Sequence, residues 1–241
     1  MRCWKRVFEA AADARRSGMI LTMFPPKLWP ACGNPPILPA ARLPLAGRST
    51  PILKAARYSR GVTGKTYPLA GNVRLRVLSA SDAEPMTDAY RLNRDHLAPW
   101  EPERSDEFFT VERQRQIIES KLAQHAEGSE VPFVMLDGDR VIGALTLTGI
   151  VRGPFLSAHL GYWVDKEYNG RGIGTAAIAV AVDFSHQELG LHRLQAATLT
   201  HNAGSQKILK RAGFEEIGLA PKYLRIAGSW QDHILYQRIL Y

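Results

Sequence analysis

The chain has 241 residues, of which 45% are hydrophobic and 22% charged, and its formal net charge is +8. This composition is typical of a soluble chain with one domain of fair size and an appendage. No apolar run approaches the roughly 20 residues that a membrane span needs, so we expect no membrane partner. Cys3 and Cys32 are the two cysteines, which excludes a disulfide framework or a cysteine-based zinc site in the folded part and indicates a cytoplasmic protein.

The basic excess lies entirely in the first third of the chain. Residues 1–71 contain 12 Lys and Arg against 2 Asp and Glu, whereas residues 72–241 contain 19 against 21. The first third also contains 9 of the 15 prolines and shows no sustained helical or strand periodicity. We therefore predict a mostly disordered basic extension over 1–71 and one folded domain over 72–241.

Three interpretations of residues 1–71 stay open. The basic charge is suited to an arm that contacts RNA or a ribosomal surface. Alternatively, the segment results from an over-long reading of the gene, with the true start at Met19, Met23 or a later codon. A targeting peptide, acid-poor and arginine-rich, is a third interpretation, although its proline content counts against it.

The folded domain begins with a half-buried strand, VRLRVL from Val73, and two amphipathic helices follow it. The first helix covers SASDAEPMTDAYRLNRDHL after a Ser or Asp cap, and the second covers roughly 108–126. The apolar stripe of the second helix consists of Val111, Ile117, Ile118 and Leu122. A hairpin of VPFVMLD and VIGALTLTGIV, joined by an Asp-Gly turn, comes next, and SAHLGYWVD forms a further strand.

A long helix then runs to about Gly190 with its apolar positions three and four residues apart. Its predicted buried face consists of Ile173, Ala176, Ala177, Val180, Ala181 and Phe184. LHRLQAATL predicts another strand, and a short helix has Asn202 as its N-cap and Gly213 just past its end. A hairpin about Ala227-Gly228 closes the chain. The order β-α-α-β-β-β-α-β-α-β-β predicts an α+β fold, a mixed sheet with helices on both sides.

The turn before the long helix carries three glycines, Gly170, Gly172 and Gly174. Glycine lets the backbone approach a ligand, and the unpaired N–H groups at a helix start carry partial positive charge, so the turn predicts a phosphate site. A dinucleotide fold would place an acidic residue about 20 positions further on, to hold the ribose. The chain has His192 in that region, which disfavours a dinucleotide ligand.

The motif NGRGIG and the order of the elements resemble the GNAT acetyltransferase superfamily, whose pyrophosphate loop has the form Q/R-x-x-G-x-G/A. Asn169 stands where that superfamily usually has Gln or Arg. Over residues 72–241, the stretches HLAPWEP, IVRGPF, LGYWVD, LHRLQA, HNAGSQKIL, RAGFEEIG and YLRIAGSWQDH resemble the RimJ/RimL group. The first, second and last of these resemble the members that acetylate the N-terminal alanine of a ribosomal protein.

The resemblance implies that the protein transfers the acetyl group of acetyl-CoA, its co-substrate, to a protein N-terminus by direct attack in a ternary complex, without a metal. The absence of cysteine from the domain agrees with direct attack. A backbone N–H of the GYWV strand is expected to meet the thioester carbonyl, and the edge of that strand to pair with the pantetheine amides. The implied cofactor-binding residues are Tyr162, Trp163, Val164, Asn169, Gly170, Arg171, Gly172, Ile173, Gly174, Thr175, Asn202 and Ser205. Helix capping is an alternative role for Asn202 and Ser205.

Acetylation of an α-amine needs a base for the amine and an acid for the departing thiolate. An α-ammonium has a pKa of roughly 7.7–8.0, so a modest base suffices. Glu101 in PWEP is the candidate base, and His159 is the preferred alternative among His96, His159 and His201. Tyr223, nine residues beyond Phe214, is the candidate acid. For each of these residues a structural or surface role stays open.

Two other functions remain compatible with the sequence. The same fold serves acetyltransferases of small amines such as antibiotics, polyamines or amino acids. A ribosome-assembly factor could instead bind RNA through the basic extension and use the acetyl-CoA fold as a platform, without turnover. The first alternative predicts a closed acceptor pocket around Glu101 and Tyr223, whereas a peptide acceptor needs an open groove.

Overall fold

The structure is a computed structural model, and it describes residues 64–241. These residues form one eight-stranded sheet in the order β1-β2-β3-β4-β5-β6-β8-β7. The strands are β1 Thr66–Pro68, β2 Val73–Val77, β3 Val131–Asp137, β4 Arg140–Val151, β5 Ser157–Val164, β6 Arg193–Leu199, β7 Glu215–Ile226 and β8 Ser229–Ile239. The helices are α1 Ala83–Leu92, α2 Arg94–Leu97, α3 Val111–Glu127, α4 Ile173–Gln187 and α5 Ala203–Arg211. The sheet is mixed and carries helices on both faces, which confirms the predicted fold class.

Strand β1 lies within the segment that the sequence assigned to the extension. It pairs antiparallel with β2, the Tyr67 ring packs edge-on against Phe184 of α4 at 6.3 Å, and Lys65 bonds Glu188 at 2.7 Å. The domain therefore includes residues before 72. A strand of three residues is too short to show the alternation that reveals a strand in a sequence. Residues 1–63, and the interpretations that concern them, lie outside the described residues.

Helices α1 and α3 pack on one face of the sheet. Their buried apolar side chains join those of β3 and β4 in one cluster, which contains Ala83, Met86, Ala89, Ile118, Val134, Leu136 and Val141. Of the predicted stripe on α3, Ile118 alone is buried, and Val111, Ile117 and Leu122 are half-buried. The prediction was too strong because a cleft separates part of this helix from the sheet, and Ile117 lines it.

Helices α4 and α5 cover the opposite face and the main core. Buried side chains of this core include Leu145, Leu147, Ala158, Leu160, Ile178, Leu194, Leu209 and Tyr236. On α4 the predicted positions Ala176 and Val180 are half-buried, whereas Ile178 and Val182 are buried. The helix thus presents a neighbouring stripe to the sheet, which spacing alone could not distinguish because both stripes are apolar.

Strands β5 and β6 are the parallel pair of this sheet, and they separate after a short contact. Their pairing extends from Ser157↔Arg193 to His159↔Gln195 and does not continue at Leu160. Strand β5 nevertheless stays paired with β4 on its other side as far as Val164. The result is a wedge-shaped opening between β5 and β6, with α4 beginning beside it.

Candidate active site

The edge of β5 that faces the wedge carries free backbone groups. The Asp165 N–H donates to Ile142 O at 2.8 Å, which makes these two residues a hydrogen-bonded pair between β5 and β4. Because N–H groups alternate in direction along a strand, Trp163 also points its N–H at β4, whereas Tyr162 and Val164 point theirs at the wedge. An extended ligand with amide groups can therefore pair with this edge as a further strand would.

The loop before α4 presents a second set of backbone donors. Gly170 and Gly172 have φ angles of 76° and 79°, in the left-handed region, and a Cβ at either position would meet no protein atom within 4 Å. The first intrahelical bond runs from Ala176 N–H to Gly172 O at 3.0 Å, so the preceding N–H groups of α4 are unpaired within the helix. Glycines that leave this space open beside a helix N-terminus fit the pyrophosphate of a coenzyme A.

Two side chains of this loop have protein partners. The Asn169 amide nitrogen lies 3.2 Å from His96 Nε2, so Asn169 contacts α2. The Arg171 guanidinium lies 4.9 Å from the centre of the Tyr168 ring, at an exposed position. Arg171 is therefore a cation placed beside the loop, while Asn169 connects the loop to the segment that follows α1.

Helix α5 provides polar groups on the same face of the sheet. Asn202 Oδ1 accepts from Ser205 N–H at 3.0 Å, so Asn202 is the predicted N-cap. The Ser205 hydroxyl lies 2.9 Å from the Tyr162 hydroxyl of β5, so the two residues form a hydrogen-bonded pair between β5 and α5. Burial raises the pKa of Tyr162 to about 12, and its hydroxyl therefore stays protonated at neutral pH.

A cleft of about 700 Å³ opens on the α1 and α3 face. Its lining on β4 and β5 consists of Ala144, Thr146, Thr148, Gly161, Tyr162 and Trp163, and its other walls include Glu101 and Phe108. The Trp163 indole N–H donates to the Tyr90 hydroxyl at 3.2 Å. A smaller cavity of about 290 Å³ adjoins the cleft and shares Tyr90, Glu101 and Phe108 with it.

Glu101 and Glu103 are the carboxylates that line both cavities, and Glu101 is the half-buried one. Its side chain is 20% exposed, and Arg104 Nη2 lies 3.5 Å from Glu101 Oε2. Burial raises the pKa of Glu101 above its ordinary value, although the charge of Arg104 opposes the shift. A carboxylate with a raised pKa in a cleft is suited to receive an ammonium or a proton.

The segment 96–101 extends from the loop before α4 to the last hairpin. His96 contacts Asn169, the Trp100 ring packs against His201 at 5.5 Å, and the Glu101 carbonyl accepts from Ala227 N–H at 3.0 Å. This bridging segment thus touches the loop before α4, the end of β6 and the β7–β8 turn. Its contacts place Glu101 beside the open end of the wedge.

Two buried polar side chains fix the start of this segment. Asn93, between α1 and α2, donates to Asp165 Oδ2 at 3.1 Å and accepts from Lys166 N–H at 3.0 Å. Burial would raise the pKa of Asp165, but hydrogen bonds from Asn93, the Glu167 N–H and Arg140 hold it below its ordinary value. The α1–α2 junction is therefore joined to the end of β5.

The structure separates the other two predicted catalytic residues. His159 lies on the same face of β5 as Gly161, but it is exposed and does not line the cleft. Tyr223 lies on β7, the outer strand, is 37% exposed, and packs its ring against His233 at 5.7 Å. Strands β6 and β8 stand between β7 and β5.

Several residues of the site escaped the sequence analysis. Tyr90 lies in a helix with an ordinary amphipathic pattern, and Asn93 and Asp165 become partners only when two distant segments meet. Tyr162 was assigned a backbone role, whereas its hydroxyl also bonds Ser205.

Residues 72–215 match the acetyltransferase (GNAT) domain family. The chain belongs to this family, and it is an acetyl-CoA-dependent N-acetyltransferase. The sequence-based assignment of the superfamily, of the enzyme class and of acetyl-CoA as co-substrate is confirmed. The open strand edge and the glycine loop described above are the features that fit this co-substrate.

Similar proteins act on ribosomal proteins. The chain is 32% identical over 163 residues to the [ribosomal protein uS5]-alanine N-acetyltransferase of Escherichia coli, covering 67% of this chain and 84% of that protein. It is 37% identical to the ribosomal-protein-S5-alanine acetyltransferase of Vibrio fischeri, with a TM-score of 0.70 and coverage of 73% and 96%. Mycobacterium smegmatis RimJ in complex with CoA-disulfide is 33% identical, with a TM-score of 0.69 and coverage of 72% and 86%.

Within 64–241, no group of three or more His, Cys, Asp and Glu side chains is arranged to hold a metal ion. None of the helices in the described part is both long and apolar enough to cross a membrane.

Proposed function

We propose that the protein acetylates the N-terminal α-amino group of a protein, specifically the N-terminal alanine of a ribosomal protein, in the cytoplasm. The observation that carries the proposal is the position of Glu101. This half-buried carboxylate lines a cleft whose floor is the strand that also offers its free edge to the cofactor. The similarity to enzymes named for the alanine of ribosomal protein uS5 supports the choice of acceptor.

The chemistry of an α-amine suits this cleft. A terminal ammonium has a pKa of roughly 7.7–8.0, so the amine holds its extra proton only weakly and a modest base can remove it before attack. Glu101 attracts the ammonium, and burial strengthens that attraction because fewer waters compete. The proposal assigns this role to Glu101 rather than to His159, because Glu101 lines the cleft and His159 does not.

The proposed acetyl-CoA contacts are mainly backbone contacts. The pantetheine amides pair with the edge at Tyr162 and Val164, and the pyrophosphate meets the N–H groups of the loop 169–175. Ser205 and Asn202 border the cofactor from α5. In direct attack the amine nitrogen bonds to the thioester carbonyl carbon, the C–S bond breaks, and the thiolate takes up a proton. Tyr223, the acid expected from the sequence, lies on β7 with β6 and β8 between it and β5, so the proposal gives it no direct contact with the sulfur.

The cleft supports a peptide acceptor because several elements line it and its volume is larger than a single small amine would fill. Strands β4 and β5, helices α1 and α3, and residues 101–108 all contribute to its walls. Its volume of about 700 Å³ leaves room for residues that follow the N-terminal one. The basic charge of residues 1–71 supports a contact with ribosomal RNA, which should weaken steeply with added salt.

The test is a thioester-consumption assay with peptides that begin with Ala, Ser or Met, beside a panel of small amines. We expect turnover with the Ala peptide, and mass spectrometry should locate the acetyl group on its α-nitrogen. A peptide with a blocked N-terminus and an internal lysine is the matched control and should stay unmodified. Turnover of a small amine with every peptide inert would overturn the peptide assignment.

A further inference from the structure

Tyr90 is a side chain of the cleft to which the mechanism above gives no role. It lies near the end of α1, is half-buried, and lines both the cleft of about 700 Å³ and the adjoining cavity of about 290 Å³. Glu101 and Phe108 also line these two cavities. Tyr90 therefore lies where the cavities meet, together with the carboxylate that is proposed to receive the ammonium of the substrate.

The hydrogen bond from Trp163 leaves the proton of the Tyr90 hydroxyl unused. Trp163 Nε1 lies 3.2 Å from the Tyr90 oxygen, and an indole N–H can only donate, so the Tyr90 oxygen accepts in this bond. The phenol carries a proton of its own, and within residues 64–241 no group accepts that proton. A donor in a partly buried position calls for an acceptor, so the hydroxyl is set to donate to a molecule that enters the cleft.

The surroundings of Tyr90 keep this proton in place. Burial raises the pKa of Tyr90 above its ordinary value, and the negative charge of Glu101 adds to the shift, while the bond from Trp163 and the charge of Arg104 oppose it. The ordinary pKa of a tyrosine is already roughly 10, so the hydroxyl remains a donor at every pH at which the enzyme would work. The effect of the Glu101 charge also shows that the two groups share one electrostatic environment.

Ring contacts and a helix anchor hold Tyr90 in position. The centre of its ring lies 5.0 Å from that of Trp163 and 4.8 Å from that of Phe108. Less than one helical turn later, Asn93 joins the end of α1 to Asp165 at the end of β5. The hydroxyl therefore has a fixed position relative to β5, the strand whose free edge is proposed to hold the cofactor. A donor that is already held in place loses little conformational entropy when it binds a ligand.

The start of a peptide carries a group that matches this donor. Its first carbonyl oxygen is separated from the α-nitrogen by the Cα and the carbonyl carbon alone, so the oxygen enters the cleft together with the ammonium. A polyamine has no carbonyl at that place. A fixed donor beside Glu101 would therefore distinguish a peptide from an amine without a carbonyl, because the amine would leave the donor unpaired.

We propose that Tyr90 determines specificity in the acceptor site, and that its hydroxyl donates a hydrogen bond to the carbonyl oxygen of the first residue of the peptide. This inference rests on the proposed function. Glu101 and Tyr90 then hold the α-amino group and the first carbonyl together, while Trp163 holds the Tyr90 oxygen. The two contacts orient the substrate and select amines that are followed by a carbonyl.

The test combines Tyr90→Phe, in the full chain, with two peptides. The first is the Ala peptide, and the second is the same peptide with a trans C=C bond in place of its first peptide bond, which keeps the shape but has no carbonyl oxygen. With the Ala peptide, Tyr90→Phe should raise KM about 10-fold with little change in kcat, because the carbonyl loses its hydrogen bond. With the alkene peptide, the same variant should change KM less than about 2-fold, because no hydrogen bond is lost.

Tyr67→Phe is the matched control. It also removes a hydroxyl from a half-buried ring that packs edge-on against a phenylalanine. The Tyr67 hydroxyl has no hydrogen-bond partner among the described residues, and Tyr67 lines neither the cleft nor the adjoining cavity. This variant should match the wild-type kinetics with both peptides.

A measurement on the wild-type protein keeps the inference testable if Tyr90→Phe folds poorly. Calorimetry with coenzyme A-loaded protein at about pH 6.5, where both amines are ammonium ions, should show the alkene peptide binding about 10-fold more weakly than the Ala peptide. Equal affinities, or equal increases of KM for both peptides in Tyr90→Phe, would overturn the inference while the proposed function stands. If wild-type protein acetylates no peptide at all, the proposed function is overturned, and this inference with it.

Discussion

The loop that we propose for the cofactor and the cleft that we propose for the acceptor lie on opposite faces of the same sheet, and they are built from different parts of the chain. The proposed cofactor loop is one continuous stretch, 169–175, and its proposed binding groups are backbone N–H donors that glycines leave accessible. The cleft instead combines side chains from α1, α3, β4, β5 and the bridging segment. A site made of backbone groups depends on the order of residues within one short segment. A site made of side chains depends on the tertiary contacts that bring distant segments together.

The first prediction concerns Tyr223, the acid that the sequence suggested. A direct proton donor would show a loss of kcat of about 10²-fold in Tyr223→Phe, with KM for acetyl-CoA nearly unchanged. Because β6 and β8 separate Tyr223 from β5, we expect no loss of that size. Stopped-flow or steady-state kinetics would measure the effect, and thermal melts should accompany them. A variant that melts normally and turns over at the wild-type rate would leave the acid to another group or to water.

On the cofactor side, the prediction concerns backbone geometry. Gly172→Val should weaken coenzyme A binding by an order of magnitude or more, because a Cβ enters the phosphate space and a branched residue resists the φ of 79°. Calorimetry would measure the affinity. Gly138→Val, in the β3–β4 turn with a φ of 60° and equally open surroundings, is the matched control. It should lose stability but keep the affinity, and equal losses of affinity in both variants would remove the phosphate-loop assignment.

Glu101→Gln should have a smaller effect on rate that depends on pH. Without the carboxylate, turnover of the Ala peptide should fall about 10-fold at pH 6.5 and less above pH 8, where the acceptor is no longer an ammonium. Because burial raises the pKa of Glu101, folding favours its protonated form, and the fold loses stability as pH rises through that pKa. The variant should therefore melt higher than wild type at neutral pH and alike in acid. A lower melting temperature at neutral pH would contradict this argument.

The smallest effect is expected from shortening the chain. Protein that begins at residue 64 should keep its fold and its peptide turnover, because both regions of the site lie after it. Protein that begins at 72 loses β1 with the Tyr67–Phe184 contact, so it should melt several degrees lower and still turn over. Binding of an RNA fragment should be lost in both. A loss of acetyl-CoA binding on removal of 1–63 would mean that the extension belongs to the catalytic domain.

Sequence reasoning went further for the loop than for the cleft for the same physical reason. Gly172 and the cap Asn202 act through backbone conformation, which their own neighbours in sequence determine, and their helices begin where predicted. His159 lies on β5 and on the same face as Gly161, but it is exposed and precedes the part of the strand that lines the cleft, a difference that only the folded chain shows. The Asn93–Asp165 pair spans 72 positions, and only the folded chain brings it together.

The wedge between β5 and β6 also has a consequence for how the two substrates bind and how coenzyme A is released. The glycine loop and α5 lie on one face of the sheet and the cleft lies on the other. We therefore expect acetyl-CoA and the acceptor to approach the opening between β5 and β6 from opposite faces. We expect coenzyme A to leave and acetyl-CoA to bind on the α4 and α5 face while a bulky acceptor still covers the opposite face. An enzyme bound to a large particle could therefore replace coenzyme A with acetyl-CoA without first dissociating from that particle.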